Sequence, residues 1–177
     1  MYNTSWNDFI GKNSNNLTAA FEDLARYLFR KKYDVSYALP YFKNHPGNET
    51  AVIKRGDEVI GFQAKYFENE IDATNIIHSI QLAKKWCPEQ TLLVIYTNKE
   101  FGIPKTIGNV TSQKQDNIQK VAKDLGLRLE WMFGDNILDV VKETPVAYDI
   151  YFNQKSHLQN LNHDLEECNE AKLSLIN

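Results

Sequence analysis

The stretch that decides the fold is Ile60-Gly61-Phe62-Gln63-Ala64-Lys65-Tyr66-Phe67. Side chains of a β-strand point alternately to the two faces of a sheet, so this stretch has two faces of different character. One face predicts packing against a core and consists of Ile60, Phe62, Ala64 and Tyr66. The other face carries Gln63 and Lys65 next to each other, and this polar pair needs an explanation beyond packing.

The residues before the polar pair predict a β-hairpin. A β-rich run from Glu49 to Lys54 precedes the turn-forming sequence Arg55-Gly56-Asp57-Glu58, and the returning strand extends from Val59 to Phe67. In such a hairpin, Glu49 lies at the open end of the first strand, opposite the polar pair. We therefore expect three polar groups to converge there.

Helices and further strands surround the hairpin in the sequence. Apolar residues at spacings of three and four predict an amphipathic helix from Leu17 to Phe29 with a basic end at Arg30–Lys32, and the segment from Tyr33 to Tyr41 is predicted to be extended. Beyond the hairpin, the predicted elements are a helix at 72–86, a strand at 91–96, a helix at 112–125, a strand at 127–133 and a short helix at 137–141. A mixed sheet with helices on its faces is an α/β sandwich.

The C-terminal region has a different pattern. Apolar residues recur at alternating spacings, with Lys172 at the position that the pattern skips, at Leu158, Leu161, Leu165, Cys168 and Leu175. Two interpretations stay open: a helix that packs back onto the domain, or a short coiled coil or stalk. We expect residues 1–151 to form the main domain and residues 152–177 a C-terminal helix, stalk or linker, leading to a further domain after residue 177 if the protein is longer.

Composition and missing motifs exclude several classes of protein. The 177 residues are 42% hydrophobic, 12% aromatic and 24% charged, which is typical of a globular domain rather than of a disordered chain. No apolar run is long enough to span a membrane, and residues 1–12 lack a signal-peptide pattern, so we expect a cytoplasmic protein without membrane contact. Glycine-rich phosphate loops, G-x-S-x-G and the spacings typical of zinc sites are also missing.

The distribution of charge favours a basic region around the polar pair. The net charge of −3 on its own argues against a protein that binds nucleic acid. However, residues 1–67, which include the polar pair, hold nine Lys and Arg against seven Asp and Glu, and residues 84–128 hold eight against four. Residues 129–177 hold three against nine. The candidate phosphate contacts are Lys54, Arg55, Lys84 and Lys85, although solvated surface positions explain these residues equally well.

The converging polar residues suit metal-assisted cleavage of a phosphodiester bond. Such a site needs a carboxylate for a divalent cation, a second oxygen ligand, and an ammonium near the attacking water or the developing negative charge. Glu49 would supply the carboxylate and Lys65 the ammonium. Gln63 and the backbone carbonyl of Ala64 would supply further oxygens. Glu22, on the inward side of the first helix, would restore the negative charge that a glutamine lacks.

At these residues the sequence resembles the PD-(D/E)XK nuclease superfamily, and more closely its Mrr-like branch. Phe21-Glu22-Asp23-Leu24 resembles the FE-x-L of the family's first helix, Gly47-Asn48-Glu49 resembles its G-x-(D/E), and Gln63-Ala64-Lys65 resembles its Q-x-K. The longer phrase from Gly61 to Phe67 is similar to the form found in N-terminal nuclease domains of prokaryotic anti-phage STAND-type NTPases. The resemblance covers residues 14–142 and implies the restriction-endonuclease-like α-β-β-β-α-β order.

The resemblance implies a function and a role for each residue. The function is that of a Mg²⁺- or Mn²⁺-dependent endonuclease that cleaves double-stranded DNA in anti-phage defence or restriction. Glu49 would bind the metal, with Gln63 as an auxiliary ligand and Glu22 as a supporting carboxylate, and Lys65 would position the nucleophile or stabilise the transition state. Glu49 departs from the commoner Asp, and its longer side chain would move the metal slightly. Because two strands need two cuts, we expect a homo-oligomer.

Two other functions stay open. Gln63 in place of a carboxylate fits a nuclease-fold module that binds nucleic acid or oligomerises without catalysis. The C-terminal pattern fits a protein-interaction domain in which the nuclease-like residues are incidental. An absence of metal binding would favour the first of these functions over an enzyme. Truncation near residue 152 tests the second, because it removes the C-terminal pattern.

Overall fold

Strand β2, Glu58–Lys65, lies inside a four-stranded mixed sheet formed by the described residues. The sheet order is β1 (Ile53–Arg55), β2, β3 (Leu92–Thr97) and β4 (Arg128–Met132). β1 pairs antiparallel with β2, whereas β2, β3 and β4 run parallel to one another. The carboxyl ends of these three parallel strands therefore meet at one end of the sheet.

The computed structural model describes residues 4–37, 39–40, 47–102 and 112–154. Its helices in these ranges are α1 (Trp6–Lys12), α2 (Leu17–Lys32), α3 (Ala73–Trp86), α4 (Gln113–Asp124), α5 (Gly134–Lys142) and α6 (Pro145–Tyr151). Two compact units divide these elements: Thr18–Ile137, which holds the sheet, and the described residues before position 18 and after position 137. None of the helices in the described ranges combines the length and the apolar character needed to cross a membrane.

Helix α2 lies against the apolar face of β2 and runs in the opposite direction to the strand. Phe29 stacks on Phe62 with ring centroids 4.6 Å apart, and Phe21 meets Tyr66 edge-on at 5.8 Å. Each such aromatic pair contributes about 1 kcal/mol beyond the area that it buries. The apolar face predicted for β2 is confirmed, and the first half of α2 is held at the carboxyl end of the strand.

The second face of the sheet packs against α3 and α4. Leu93 and Ile95 of β3 lie in this core together with Ile71, Ile76, Ile80, Ala83, Ile118, Ala122 and Leu127. Every residue of β3 is buried, as a continuous apolar run predicts for a strand covered on both faces. Asp72 caps α3 by accepting hydrogen bonds from the backbone N–H groups of Thr74 and Asn75, which fixes the start of the helix.

Most of the predicted elements are confirmed with small shifts at their ends. The helices predicted at 17–29, 72–86 and 112–125 are α2, α3 and α4, and the strands predicted at 91–96 and 127–133 are β3 and β4. The short helix predicted at 137–141 is the longer α5. The α/β class with a mixed sheet is therefore confirmed.

The segment predicted to be extended at 33–41 forms no strand in those of its residues that the structure describes. Asp34 has a φ of 47°, and the Val35 N–H donates to Arg30 O at 2.9 Å, so the chain closes the end of α2 instead of extending. One backbone bond, from the Ala51 N–H to Pro40 O at 3.3 Å, lies where the extra strand was expected.

The first strand of the hairpin is also shorter than predicted. Regular pairing of β1 begins at Ile53 rather than at Glu49. Two strands, not three, therefore precede α3 in the described parts of the chain, and the α-β-β-β-α-β order is not reproduced there.

The sequence patterns do not reveal α1 and α6, which belong to the smaller unit. Ser5 and Asp8 form a capping box that starts α1. Phe9 contacts both Trp6 and Phe152, each with ring centroids 5.5 Å apart. Residues 155–177, with the predicted C-terminal helix, lie outside the described residues, so the domain boundary after residue 151 stays a prediction.

Candidate functional site

The chain reaches the candidate site through Gly47, whose backbone passes against α3. Gly47 has a φ of 96°, and a Cβ there would lie 2.1 Å from the backbone nitrogen of Ala83. Glycine alone tolerates both this left-handed backbone and this contact. Two residues later, the Glu49 N–H donates to Phe62 O at 3.0 Å, which holds Glu49 beside β2.

The carboxyl group of Glu49 is buried against the strand. Its Oε1 accepts hydrogen bonds from the side-chain amide of Gln63 and from the backbone N–H of Ala64, the latter at 3.3 Å. Glu49 is 7% exposed and Gln63 is 6% exposed. The predicted convergence of Glu49 and Gln63 is therefore present, even though β1 is short.

The surroundings of Glu49 favour its neutral form. Burial, and after it the negative charge of Glu22, raises the pKa of Glu49 to about 7. The Ala64 N–H, the Lys65 ammonium and the Gln63 amide each favour the carboxylate and offset part of this rise. A carboxyl group with a raised pKa is typical of functional sites, although structural networks also produce such shifts.

Lys65 follows Gln63 by two residues and extends from the same face of β2. Its side chain is half-buried, and burial lowers the pKa of its ammonium group, while Glu49 and Glu22 oppose that shift. Among the described residues Lys65 forms no direct ion pair. Its charge is therefore held near two carboxyl groups without being neutralised by a contact.

Glu22 comes to the site from α2. It follows Phe21, whose ring packs on Tyr66, the residue after Lys65. The electrostatic effects of Glu22 on both Glu49 and Lys65 place its carboxyl group near them. The four side chains predicted for catalysis thus lie at the carboxyl end of β2, and we call Glu22, Glu49, Gln63 and Lys65 the Glu49 cluster.

The donors of the Glu49 cluster fit a divalent cation by their chemistry. Carboxylate, amide and backbone carbonyl oxygens, from Glu49, Gln63 and Ala64, are the ligands that Mg²⁺ prefers. Gln63 Nε2 donates to Glu49 and lies 3.4 Å from Ala64 O, so its amide has to turn over before its oxygen faces a cation. Within the described ranges, no group of three or more His, Cys, Asp or Glu is placed to hold a metal.

The predicted phosphate contacts Lys54 and Arg55 lie at the start of β2 rather than at its carboxyl end. They pair with Val59 and Glu58, respectively. At about 3.3 Å per residue, the strand separates Glu58 from Lys65 by roughly 23 Å. These two residues are therefore not brought to the Glu49 cluster.

Lys84 and Lys85 lie at the C-terminal end of α3. This end of the helix is close to the start of β3, and Lys54 is likewise beside the start of a strand, β2. The Lys84 ammonium donates to the backbone carbonyl of Gln90 at 2.7 Å, just before β3, and Lys85 is exposed. An open groove of about 640 Å³ beside β4 is lined by residues that include Lys120, Lys123 and Arg128. This end of the sheet carries several cations at a distance from the Glu49 cluster.

Two buried amides near the Glu49 cluster have no motif that identifies them in the sequence. Asn48 and Gln90 donate to each other, with N···O distances of 2.8 and 3.3 Å. Asn48 is marked only by its place between Gly47 and Glu49, and Gln90 precedes β3 without any recognisable pattern. Only folding brings these two side chains together.

Comparison with known proteins adds no family to these observations. Neither protein-family models nor curated proteins give a match for this chain. The resemblance to PD-(D/E)XK nucleases therefore stays a prediction from the sequence of the Glu49 cluster and its neighbours.

Proposed function

We propose that this chain is a Mg²⁺-dependent endodeoxyribonuclease domain that hydrolyses phosphodiester bonds of double-stranded DNA. The observation that carries the proposal is a buried carboxyl group, that of Glu49, bonded to Gln63 and Ala64 with an ammonium and a second carboxyl group close by. Burying charged groups costs free energy, so a cluster of them in a poorly solvated place favours a functional explanation. The cleavage of a phosphodiester with the help of a divalent cation would give each of these groups a role.

Each residue of the Glu49 cluster has a distinct task in the proposed reaction. Mg²⁺, when bound, supplies a Lewis acid and an activated water. Glu49, Gln63 and the Ala64 carbonyl would hold the cation, and Glu22 would add negative charge. Lys65 would donate from its ammonium to a phosphate oxygen, where negative charge grows as water attacks phosphorus and the bond to the leaving oxygen breaks. In the net reaction, the water would give its hydroxyl group to phosphorus, and its proton would be balanced by the proton that the leaving oxygen takes up from solvent. Burial strengthens this electrostatic contact.

The proposed biological role is that of a cytoplasmic effector in prokaryotic anti-phage defence or restriction. Its support is the similarity of the phrase from Gly61 to Phe67 to the form found in nuclease domains of anti-phage NTPases. A homo-oligomer is part of the proposal because each Glu49 cluster cuts one strand and a duplex has two.

Plasmid cleavage tests the proposal with a matched pair of glutamates. The wild-type chain should nick or linearise supercoiled DNA with Mg²⁺ or Mn²⁺, and should do neither with EDTA. Glu49→Gln should lower the rate about 100-fold, because it removes the charge that holds the cation. Glu58→Gln, at the exposed start of the same strand, should change the rate less than about twofold. No cleavage by the wild type, or equal cleavage by Glu49→Gln, would contradict the proposal.

A second candidate function is a nucleic-acid-binding module without catalysis. Two observations favour it: the Gln63 amide occupies an oxygen of Glu49, and the groove beside β4 carries Lys120, Lys123 and Arg128. This function predicts no Mn²⁺ binding in calorimetry and DNA retention that falls steeply with salt. Retention should then be lost in the double variant Lys120→Glu/Lys123→Glu.

A further inference from the structure

Asn48 and Gln90 form a closed pair of side-chain amides, which we call the amide pair. Asn48 Nδ2 donates to Gln90 Oε1 at 2.8 Å, and Gln90 Nε2 donates back to Asn48 Oδ1 at 3.3 Å. Gln90 Nε2 also donates to the backbone carbonyl of Leu92 at 3.0 Å. Asn48 is 3% exposed and Gln90 is 0% exposed, so water does not compete for these bonds.

Strand β2 lacks a side chain where the amide pair lies. A Cβ at Gly61 would be 2.1 Å from Asn48 Oδ1 and 2.6 Å from Gln90 Nε2. Gly61 is not among the glycines with positive φ, so its backbone conformation does not require glycine. The glycine in this part of β2 is therefore explained by the space that the amide pair needs.

The amide pair joins three parts of the chain next to Glu49. Asn48 directly precedes Glu49, Gly61 directly precedes the residue that accepts the Glu49 N–H, and Gln90 leads into β3. Gly47 is held against α3 on the other side of Asn48. The backbone that carries the Glu49 side chain is therefore fixed from both directions.

Apolar side chains of similar size would also fill this space, but their contacts would not fix the orientation of the neighbouring backbone as hydrogen bonds do. Hydrogen bonds between buried amides are directional, and a buried amide that loses its partner is costly. We propose that Asn48 and Gln90 are positioning residues for Glu49, because the amide pair sets where the Glu49 carboxyl group lies relative to Gln63 and the Ala64 N–H. The positioning of Glu49 follows from the geometry alone, whereas its effect on catalysis rests on the proposed function.

Hydrogen exchange at a single backbone amide tests the positioning directly. The Ala64 N–H bonds to Glu49 Oε1, so its exchange rate reports whether the carboxyl group stays in place. Gln90→Met removes the amide at similar size, and exchange at Ala64 should accelerate about tenfold more than exchange at Val94 in β3. The control variant Ile118→Val, which trims the core away from the amide pair, should change both rates by the same factor.

The Mg²⁺ dependence of DNA cleavage separates positioning from loss of fold. In Gln90→Met, the Mg²⁺ concentration for half-maximal cleavage should rise about tenfold, while the rate at saturating Mg²⁺ changes less. Asn48→Ala removes the other half of the amide pair and serves as a second variant if Gln90→Met does not fold. Parallel changes at Ala64 and Val94 with unchanged Mg²⁺ dependence would overturn the inference. If the wild type does not cleave DNA, the proposed function fails, while exchange at Ala64 still decides the role of the amide pair.

Discussion

The charged side chains at the two ends of strand β2 differ in their exposure to solvent. At its start, Glu58 pairs with Arg128, and these side chains are 46% and 60% exposed. At its carboxyl end, Glu49 is 7% exposed and Lys65 is half-buried, and among the described residues neither forms an ion pair. Water solvates the charges at the first end, whereas the charges at the second end are held where solvation is poor. The second end is therefore the one where burial shifts the pKa values of the charged groups.

The magnitudes support this distinction. An exposed ion pair contributes about 0 to 1 kcal/mol to stability. The pKa of Glu49, about 7 against an ordinary value of 4.5, corresponds to about 3 kcal/mol that the folded chain loses when this carboxyl group ionises. Keeping this carboxyl group ionised therefore costs the folded chain stability, whereas the exposed ion pair changes stability little.

Replacing Lys65, at the carboxyl end of β2, and Lys54, which lies on β1 beside the start of β2, should give the largest contrast. Lys65→Ala should lower the cleavage rate about 100- to 1,000-fold, or about 3 to 4 kcal/mol, because the proposed function places its ammonium on the developing charge. Lys54→Ala should leave the rate within about twofold and alter only the salt dependence of DNA binding. Single-turnover cleavage at saturating DNA measures both rates. Equal losses would mean that both lysines act only through general attraction to DNA.

The ionisation of Glu49 should make the metal-free protein less stable as the pH rises. The pKa of Glu49 is about 7 in the folded chain and near the ordinary 4.5 when unfolded, so the folded chain binds an extra proton between these values. The favourable contribution is therefore complete below the unfolded pKa and is lost as the pH rises through the folded pKa. Denaturant unfolding in EDTA between pH 5 and pH 8 should show a loss of up to about 3 kcal/mol.

Two glutamine variants isolate the part of this profile that belongs to Glu49. Glu49→Gln removes the titrating group and should flatten the profile, and it should be more stable than the wild type at pH 8 because no carboxylate is buried. Glu58→Gln should leave the slope unchanged, since Glu58 is exposed. A wild-type slope equal to that of Glu49→Gln would show that the pKa of Glu49 is not raised.

The parts of the site that can be predicted from sequence depend on local periodicity. Alternation along β2 assigns Gln63 and Lys65 to one face, and spacing along α2 assigns Phe21 to the buried side, with Glu22 beside it. Glu49 follows from the hairpin, because a tight turn brings back a strand at a known register. These inferences need only a few residues on either side.

The parts that cannot be predicted depend on distant contacts. The partner of Asn48 lies 42 residues further along the chain, and no pattern around Gln90 identifies it. The segment after α2 contains β-forming residues, yet the left-handed conformation of Asp34 turns the chain at the helix end. The sequence gives the charge of Lys54 but not its position, and only the register of β1 with β2 shows that Lys54 is remote from Lys65.

A methyl group added to β2 between its two ends tests how closely they are packed. In Gly61→Ala the new Cβ would meet Asn48 Oδ1 at 2.1 Å and Gln90 Nε2 at 2.6 Å, so both amides have to shift. We expect the free energy of unfolding to fall by about 1 to 3 kcal/mol, as in an overpacked core. Gly102→Ala, where no atom of the described residues lies within 4 Å of the added Cβ, should change it by less than about 0.5 kcal/mol. Urea unfolding measures both, and equal stabilities would contradict the tight packing around the amide pair.

The smallest effect should come from the ion pair at the start of β2. A double-mutant cycle of Glu58→Gln and Arg128→Met should give a coupling free energy below about 1 kcal/mol, and it should fall further in concentrated salt because both side chains are exposed. The matching cycle of Glu49→Gln and Lys65→Met should give a favourable coupling that salt changes little, since burial keeps counterions away. Denaturant unfolding at low and high salt measures both couplings. If the two couplings respond to salt in the same way, burial does not distinguish the two ends of the strand.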